Sequence, residues 1–229
     1  YVVESRLRTS GGVLVSRSSP GNTIQIGKAT LDQITLEEIP LDHLSGYFKL
    51  RLDGIIDYDL FKRLVILIDA DRKVMALYDS IPPALTAAWD ELELHRIDNN
   101  KAGVEISFLG RDSGYTRKIV IVDTGNPDEI HLFPNAIQDN DIALKIRNKE
   151  VRGFSADSTI TRNLRGTLEE VKFAGKKWRN VSTVIPTDSL TRAAFLKNKS
   201  YGLIGQGLLL DFNMIYDYPN NRFYFQKRK

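Results

Sequence analysis

The chain has 229 residues, 42% hydrophobic and 27% charged, with a formal net charge of +3. That length buries a core without staples, and so small a net charge gives no footing for a nucleic-acid partner. The chain holds no cysteine, which excludes disulfides, thiol catalysis and cysteine zinc sites. No apolar run reaches the roughly 18 residues of a membrane span. The first residue is Tyr1 rather than Met and no signal-peptide pattern is visible, so a processed or cut product is expected, with sequence missing upstream.

In chain order, Thr9, Ser10, Gly11 and Gly12 come first. Adjacent glycines permit backbone movement, so this stretch suits either a mobile hairpin tip or an ordinary turn. Residues 54–78 read as Gly with two apolar residues, a short helix, a strand, a turn and a strand. Ile81, Pro82 and Pro83 end that run, and residues 84–92 read as a short connecting helix. Strands are expected at about 93–97, 104–109 and 118–122. In the last of these, Ile119, Val120, Ile121 and Val122 are four consecutive β-branched residues, the pattern of a buried strand. That strand runs into Asp123, Thr124 and Gly125, and Asn126-Pro127 then stops the ladder. An acid at the end of a buried strand needs hydrogen bonds, and Gly125 lets the chain turn back to supply them.

Residues 202–226 repeat residues 54–78 without a gap at an offset of 148. Gly54 matches Gly202, Ile56 matches Ile204, Leu60 matches Leu208 and Asp69 matches Asp217. Gly27-Lys28 aligns with Gly175-Lys176 at the same offset, Pro40 aligns with Pro186 at 146, and residues 10–26 align loosely with 155–171 at about 145. The chain therefore reads as two versions of one mainly β unit: residues 1–83, a connection at 84–92, and residues 93–229.

Three features together carry a resemblance: Asp123-Thr124-Gly125 after a buried strand, the apolar pair and glycine Leu203-Ile204-Gly205 some 80 residues later, and the internal duplication. The chain resembles the aspartic proteases of the pepsin and retroviral types, in particular bacterial single-chain homologues. The resemblance implies a two-lobed, mainly β barrel fold with a few short helices. It further implies catalysis by Asp123, supported by Thr124 and Gly125. Leu203, Ile204 and Gly205 would stand behind the catalytic loop, and Ser10, Gly11 and Gly12 would form a flap over a peptide or protein substrate. No cofactor and no metal are implied, and a monomer is expected because both lobes lie in one chain. Family members of this kind are often exported, and export is the expectation here.

The pattern also departs from the family. The first lobe shows no Asp-Thr-Gly, and the repeat offset puts it about 22–25 residues before Tyr1. Asp57 stands where the family has a glycine, and Gly207 replaces the usual acid. In the second lobe, Gly153, Phe154 and Ser155 fall at the place of the flap, with a weaker signal. Asp112-Ser113-Gly114 suits a hairpin turn better than a nucleophile, because His43, His95 and His131 carry no supporting motif. The same three histidines make no metal-ligand cluster. Trp89 and Trp178 read as packing residues.

Two functions remain open on these residues. With a second acid upstream, two adjacent carboxylates share a proton and activate water against a peptide bond. Without it, a lone Asp123 leaves an inactive cleft that binds peptides or a protein.

Overall fold

The computed structural model describes residues 2–9, 12–138, 141–155 and 158–228. The first half opens with β1 (Val3–Thr9), β2 (Gly12–Ile26) and β3 (Ala29–Glu38), an antiparallel sheet in that order. After α1 (Asp42–Phe48) and the single turn α2 (Tyr58–Phe61) comes a hairpin, β4 (Val65–Asp69) and β5 (Val74–Tyr78). A short α3 (Pro83–Thr86) leads to β6 (Asp90–Glu93), β7 (His95–Ile97), β8 (Lys101–Leu109) and β9 (Tyr115–Val122). Then follow β10 (Ile130–Leu132), α4 (Pro134–Gln138), β11 (Leu144–Phe154), β12 (Ile160–Phe173), β13 (Lys176–Pro186) and α5 (Ser189–Phe195). The chain ends with β14 (Gly202–Ile204), α6 (Gln206–Leu209), β15 (Phe212–Asp217) and β16 (Arg222–Lys227). The fold is mainly β with short helices, as expected.

The second half forms an eight-stranded sheet, β11-β12-β13-β10-β14-β9-β8-β7, in which β12 also pairs with β8. That extra pairing curls the sheet around its own core. Val104, Phe108, Val120, Ile130, Leu132, Leu168, Val171 and Ile204 lie in this core with no exposed surface. The first half has a smaller core, built by Leu31, Ile34, Leu60, Leu64 and Ile66.

A five-stranded sheet, β5-β4-β15-β16-β6, joins the halves. In it β4 pairs with β15 through Ile68 with Met214, Leu67 with Ile215 and Ile66 with Tyr216. Leu67 and Ile215 are 148 residues apart, so each pairs with its own counterpart and a pseudo-two-fold axis passes between them. The hairpins on either side agree in detail. Val65 opposes Tyr78 as Asn213 opposes Gln226. The Asp69 carboxylate accepts from Arg72 N at 2.8 Å, and Asp217 accepts from Asn220 N at 3.1 Å. Lys73 and Asn221 then take the left-handed conformation, with φ of 57° and 54°.

Three sequence expectations shift. The connecting helix stops at Thr86, and Asp90–Glu93 is a strand on β16. Its continuation loses because Leu85 and Trp89 pack under the joining sheet against Val65, Leu67, Ile215 and Tyr224, which leaves the next residues beside an open ladder. The joining sheet also draws strands from both sides of the connection, so the halves meet as one hydrogen-bonded layer. Finally, the β2–β3 and β12–β13 turns are 147 residues apart rather than 148. Ile26 opposes Ala29 and Phe173 opposes Lys176, so Gly27 takes the first central position and Gly175 the second. Ala174 and Gly175 both have positive φ, 58° and 65°, as a two-residue hairpin turn of type I′ requires.

The halves differ most at the start of the repeat. Residues 202–204 form β14 inside the sheet, with Ile204 wholly buried. Their counterparts 54–56 belong to no strand, and Ile55 and Ile56 are 59% and 53% exposed.

Candidate active site

The site is built at the end of β9. Val120, Ile121 and Val122 are buried between β8 and β14, so the strand is fixed on both edges. Leu203 and Ile204 run parallel to Ile121 and Val122, and the Asp123 N–H donates to the Ile204 carbonyl at 3.0 Å. The chain then turns. Gly125 N donates to Asp123 Oδ1 at 2.9 Å, and Asn126 N donates to the Asp123 carbonyl at 3.2 Å. These two bonds hold the carboxyl against its own loop.

Against the loop lie β14, with Leu203 and Ile204, and then Gly205 and α6. Gly205 is required by close approach: a Cβ there would lie 2.3 Å from the Asp128 carbonyl and 2.6 Å from that of Asn126. Gly205 N donates to the Glu129 carbonyl at 3.1 Å and Gln206 N to the Asn126 carbonyl at 2.7 Å. Gly207 has a similar reason, since Glu129 Cγ would meet a Cβ there at 2.5 Å.

Thr124 is exposed, and the bond described for it runs through its carbonyl, which accepts from Gln206 Nε2 at 2.6 Å. Gln206 was not legible in the sequence as a site residue. Its signal was position alone, immediately after the glycine of the second signature. Lys101, at the start of β8, was missed for the same lack of a motif; its positive charge acts on Asp123.

Burial pushes the Asp123 carboxyl above the ordinary carboxylate range, against the opposing pull of the Gly125 N–H, Lys101 and the Asn126 N–H. None of these neighbours is an acid. Tyr216, on β15 beside the pseudo-two-fold pair, is close enough to feel the Asp123 charge, and burial pushes its phenol up strongly.

Ser10 and Gly11 fall outside the described residues. Gly12 opens β2 and pairs with Thr9 of β1. In the second half, Gly153 and Phe154 end β11, and Ser155 begins the turn into β12. That turn meets the first half: His43 Nε2 lies 3.1 Å from the Ser155 carbonyl, and the Tyr47 and Phe154 rings are 5.7 Å apart. In return α5 of the second half approaches β2. Asp57 is exposed and starts α2, at the place Gly205 holds before α6.

The competing constellations separate. Residues 110–114 turn between β8 and β9, and Gly114 N donates to Asp112 Oδ1 at 3.0 Å. His131 lies in β10 with its ring edge-on to Phe133 and Phe195. Among the described residues no group of acids and histidines could hold a metal ion, and no helix is long and apolar enough to cross a membrane.

No protein-family model matches the chain, and no curated protein matches it. Among solved structures it is similar to an aspartic proteinase from Irpex lacteus. The identity is 12% and the TM-score 0.47, with 100% of this chain and 81% of that one covered.

Proposed function

We propose that this chain forms the greater part of an aspartic endopeptidase cleft, with Asp123 as one of two catalytic carboxylates. The observation that carries the reading is the setting of Asp123: a half-buried acid of raised pKa on a braced loop, in a chain whose halves pair about a pseudo-two-fold axis. In this reading a like acid from the other half would stand beside it. Two such carboxylates share one proton. The ionised member takes a proton from water while the protonated member polarises the scissile carbonyl, and the attacking oxygen then forms the tetrahedral intermediate. The protein supplies the rest by position. Gly125 N and Asn126 N hold the loop, Gln206 ties it to α6, and the β1–β2 hairpin with Ser10, Gly11 and Gly12 would cover an extended peptide.

The second acid would come from outside these 229 residues. The test is cleavage of an unfolded protein between pH 3 and 7 by the polypeptide expressed from its natural start. Turnover that disappears in Asp123→Asn is expected; absence of turnover in the unsubstituted polypeptide overturns the reading.

Asp57 favours a second reading, an inactive cleft that binds peptides or a protein. A carboxylate where the second half needs a bare glycine alters the support for any loop above it. Asp123-dependent turnover would exclude this alternative.

A further inference from the structure

The second half shows what its repeat unit looks like when covered, and the first half shows three of the same surfaces uncovered. β14 is flanked by β9 and β10, whereas residues 54–56 lie outside every sheet with Ile56 53% exposed. β16 is flanked by β15 and β6, whereas its counterpart β5 is a sheet edge with Val74 47% exposed. β13 is flanked by β12 and β10, whereas its counterpart β3 is an edge. Thr183 of β13 has no exposed surface; at the turn offset of 147 it matches Leu36, 44% exposed.

All three missing neighbours belong to one stretch of the second half, residues 90–132. We propose that these three surfaces are the docking site for a single segment of the same polypeptide, outside the 229 residues, that repeats the β6–β10 pattern. Its first strand would add antiparallel to β5, as β6 adds to β16. A later strand would lie parallel to Ile55 and Ile56, as β9 lies to Leu203 and Ile204. Its last would lie along β3. The total exposed area agrees: 13097 Å² for a 25.9 kDa chain, where a compact monomer of that mass exposes roughly 10,500 Å². Of the sixteen exposed large apolar side chains described, ten precede residue 79.

The docked segment cannot copy residues 123–129 in full. Asp57 and Gly205 share an extended backbone, with φ, ψ of −138°, −146° and −114°, −170°. The Asp57 Cβ then occupies the space into which the Asn126 and Asp128 carbonyls close at Gly205. The segment therefore passes residue 57 at a greater distance, and the Asp57 carboxylate is free to accept its N–H groups.

The 229 residues hold no cysteine, so a thiol introduced among them is unique there, and the maleimide rate is read at the introduced position in both proteins by peptide mass mapping. Ile56→Cys and Leu36→Cys place thiols on two of the surfaces, and Leu210→Cys, at a site 55% exposed in the second half, is the control. Each is labelled with a maleimide in the 229-residue chain and in the polypeptide expressed from its natural start. The proposal expects thiols at 56 and 36 to react at least roughly 100-fold more slowly in the longer polypeptide, with the control unchanged. Equal rates in the two proteins overturn it. So does protection within the 229-residue chain that grows with its concentration, which would mean that a second copy covers the surfaces. The outcome is separable from catalysis: protection without peptide cleavage keeps the docking site and removes the peptidase, and cleavage with an open thiol at 56 does the reverse.

Discussion

At the residue scale, three positions of the second half convert geometry into measurable free energy. Burial raises the Asp123 pKa in the folded chain, so the folded chain holds this proton longer than the unfolded one as pH rises. Stability is therefore lost as pH climbs from the unfolded value through the raised one. Asp123→Asn should raise the urea midpoint of the 229-residue chain at pH 7, and the gain should vanish below about pH 4. Gly205→Ala forces a methyl into two carbonyl oxygens. It should cost about 1–3 kcal/mol in urea unfolding, and because those carbonyls belong to the loop after Asp123, it should lower any activity as well. His131 works in the opposite sense to Asp123. Its Nε2 is enclosed with no described hydrogen-bond partner, and burial lowers its pKa to about 4. Between about pH 6.5 and 4 the unfolded chain binds a proton that the folded chain refuses. Stability should fall across that window by up to roughly 3 kcal/mol, and His131→Leu should flatten the fall in a pH series of thermal melts.

At the element scale, the two copies of the hairpin show what the repeat preserves. Sequence agreement at Asp69 and Asp217 corresponds to one device, a carboxylate that closes the turn by accepting from the third residue on. Asp217 is 1% exposed and also accepts from Asn220 Nδ2 at 2.9 Å. Asp217→Ala should therefore lower unfolding free energy by about 0.5–1.5 kcal/mol, read by urea titration, because it removes the acceptor that closes the turn. This much was legible in the residues, since turn chemistry is local. Strand existence was legible for the same reason at Ile119, Val120, Ile121 and Val122. The helix over 84–92 was not, because the ladder offered by β16 comes from residues more than 130 positions later. The one-residue slip between Gly27 and Gly175 was likewise invisible, because hairpin register is set by pairing across the turn.

At the scale of the whole molecule, the joining sheet decides how the halves work together. Its axis passes between Leu67 and Ile215, and Tyr216, the next residue along β15, feels the Asp123 charge. One hairpin from each half approaches a helix of the other: the turn after β11 at His43 and Tyr47, and β2 at α5. If the peptidase reading holds, the pH–rate curve should be bell-shaped on the acid side of neutrality. Its acid limb should follow unfolding as well as catalysis, since His131 weakens the fold in the same range. Measuring turnover beside circular dichroism at each pH separates the two contributions.

The sequence alone determined the duplication, the strand that presents Asp123, the glycines behind it and the resemblance they carry, because all of these are written in short patterns. It also marked Asp57 as a departure, on the repeat alone. Only the tertiary structure decided where the axis falls, why Gly205 must lack a side chain, that Gln206 and Lys101 belong to the site, and that the first half leaves three strand-binding surfaces bare. The physical reason is the range of the interactions. Turns, caps and apolar runs act over a few residues, whereas register across a joining sheet, close approach of two loops and the covering of an edge depend on residues that meet only when the chain is folded.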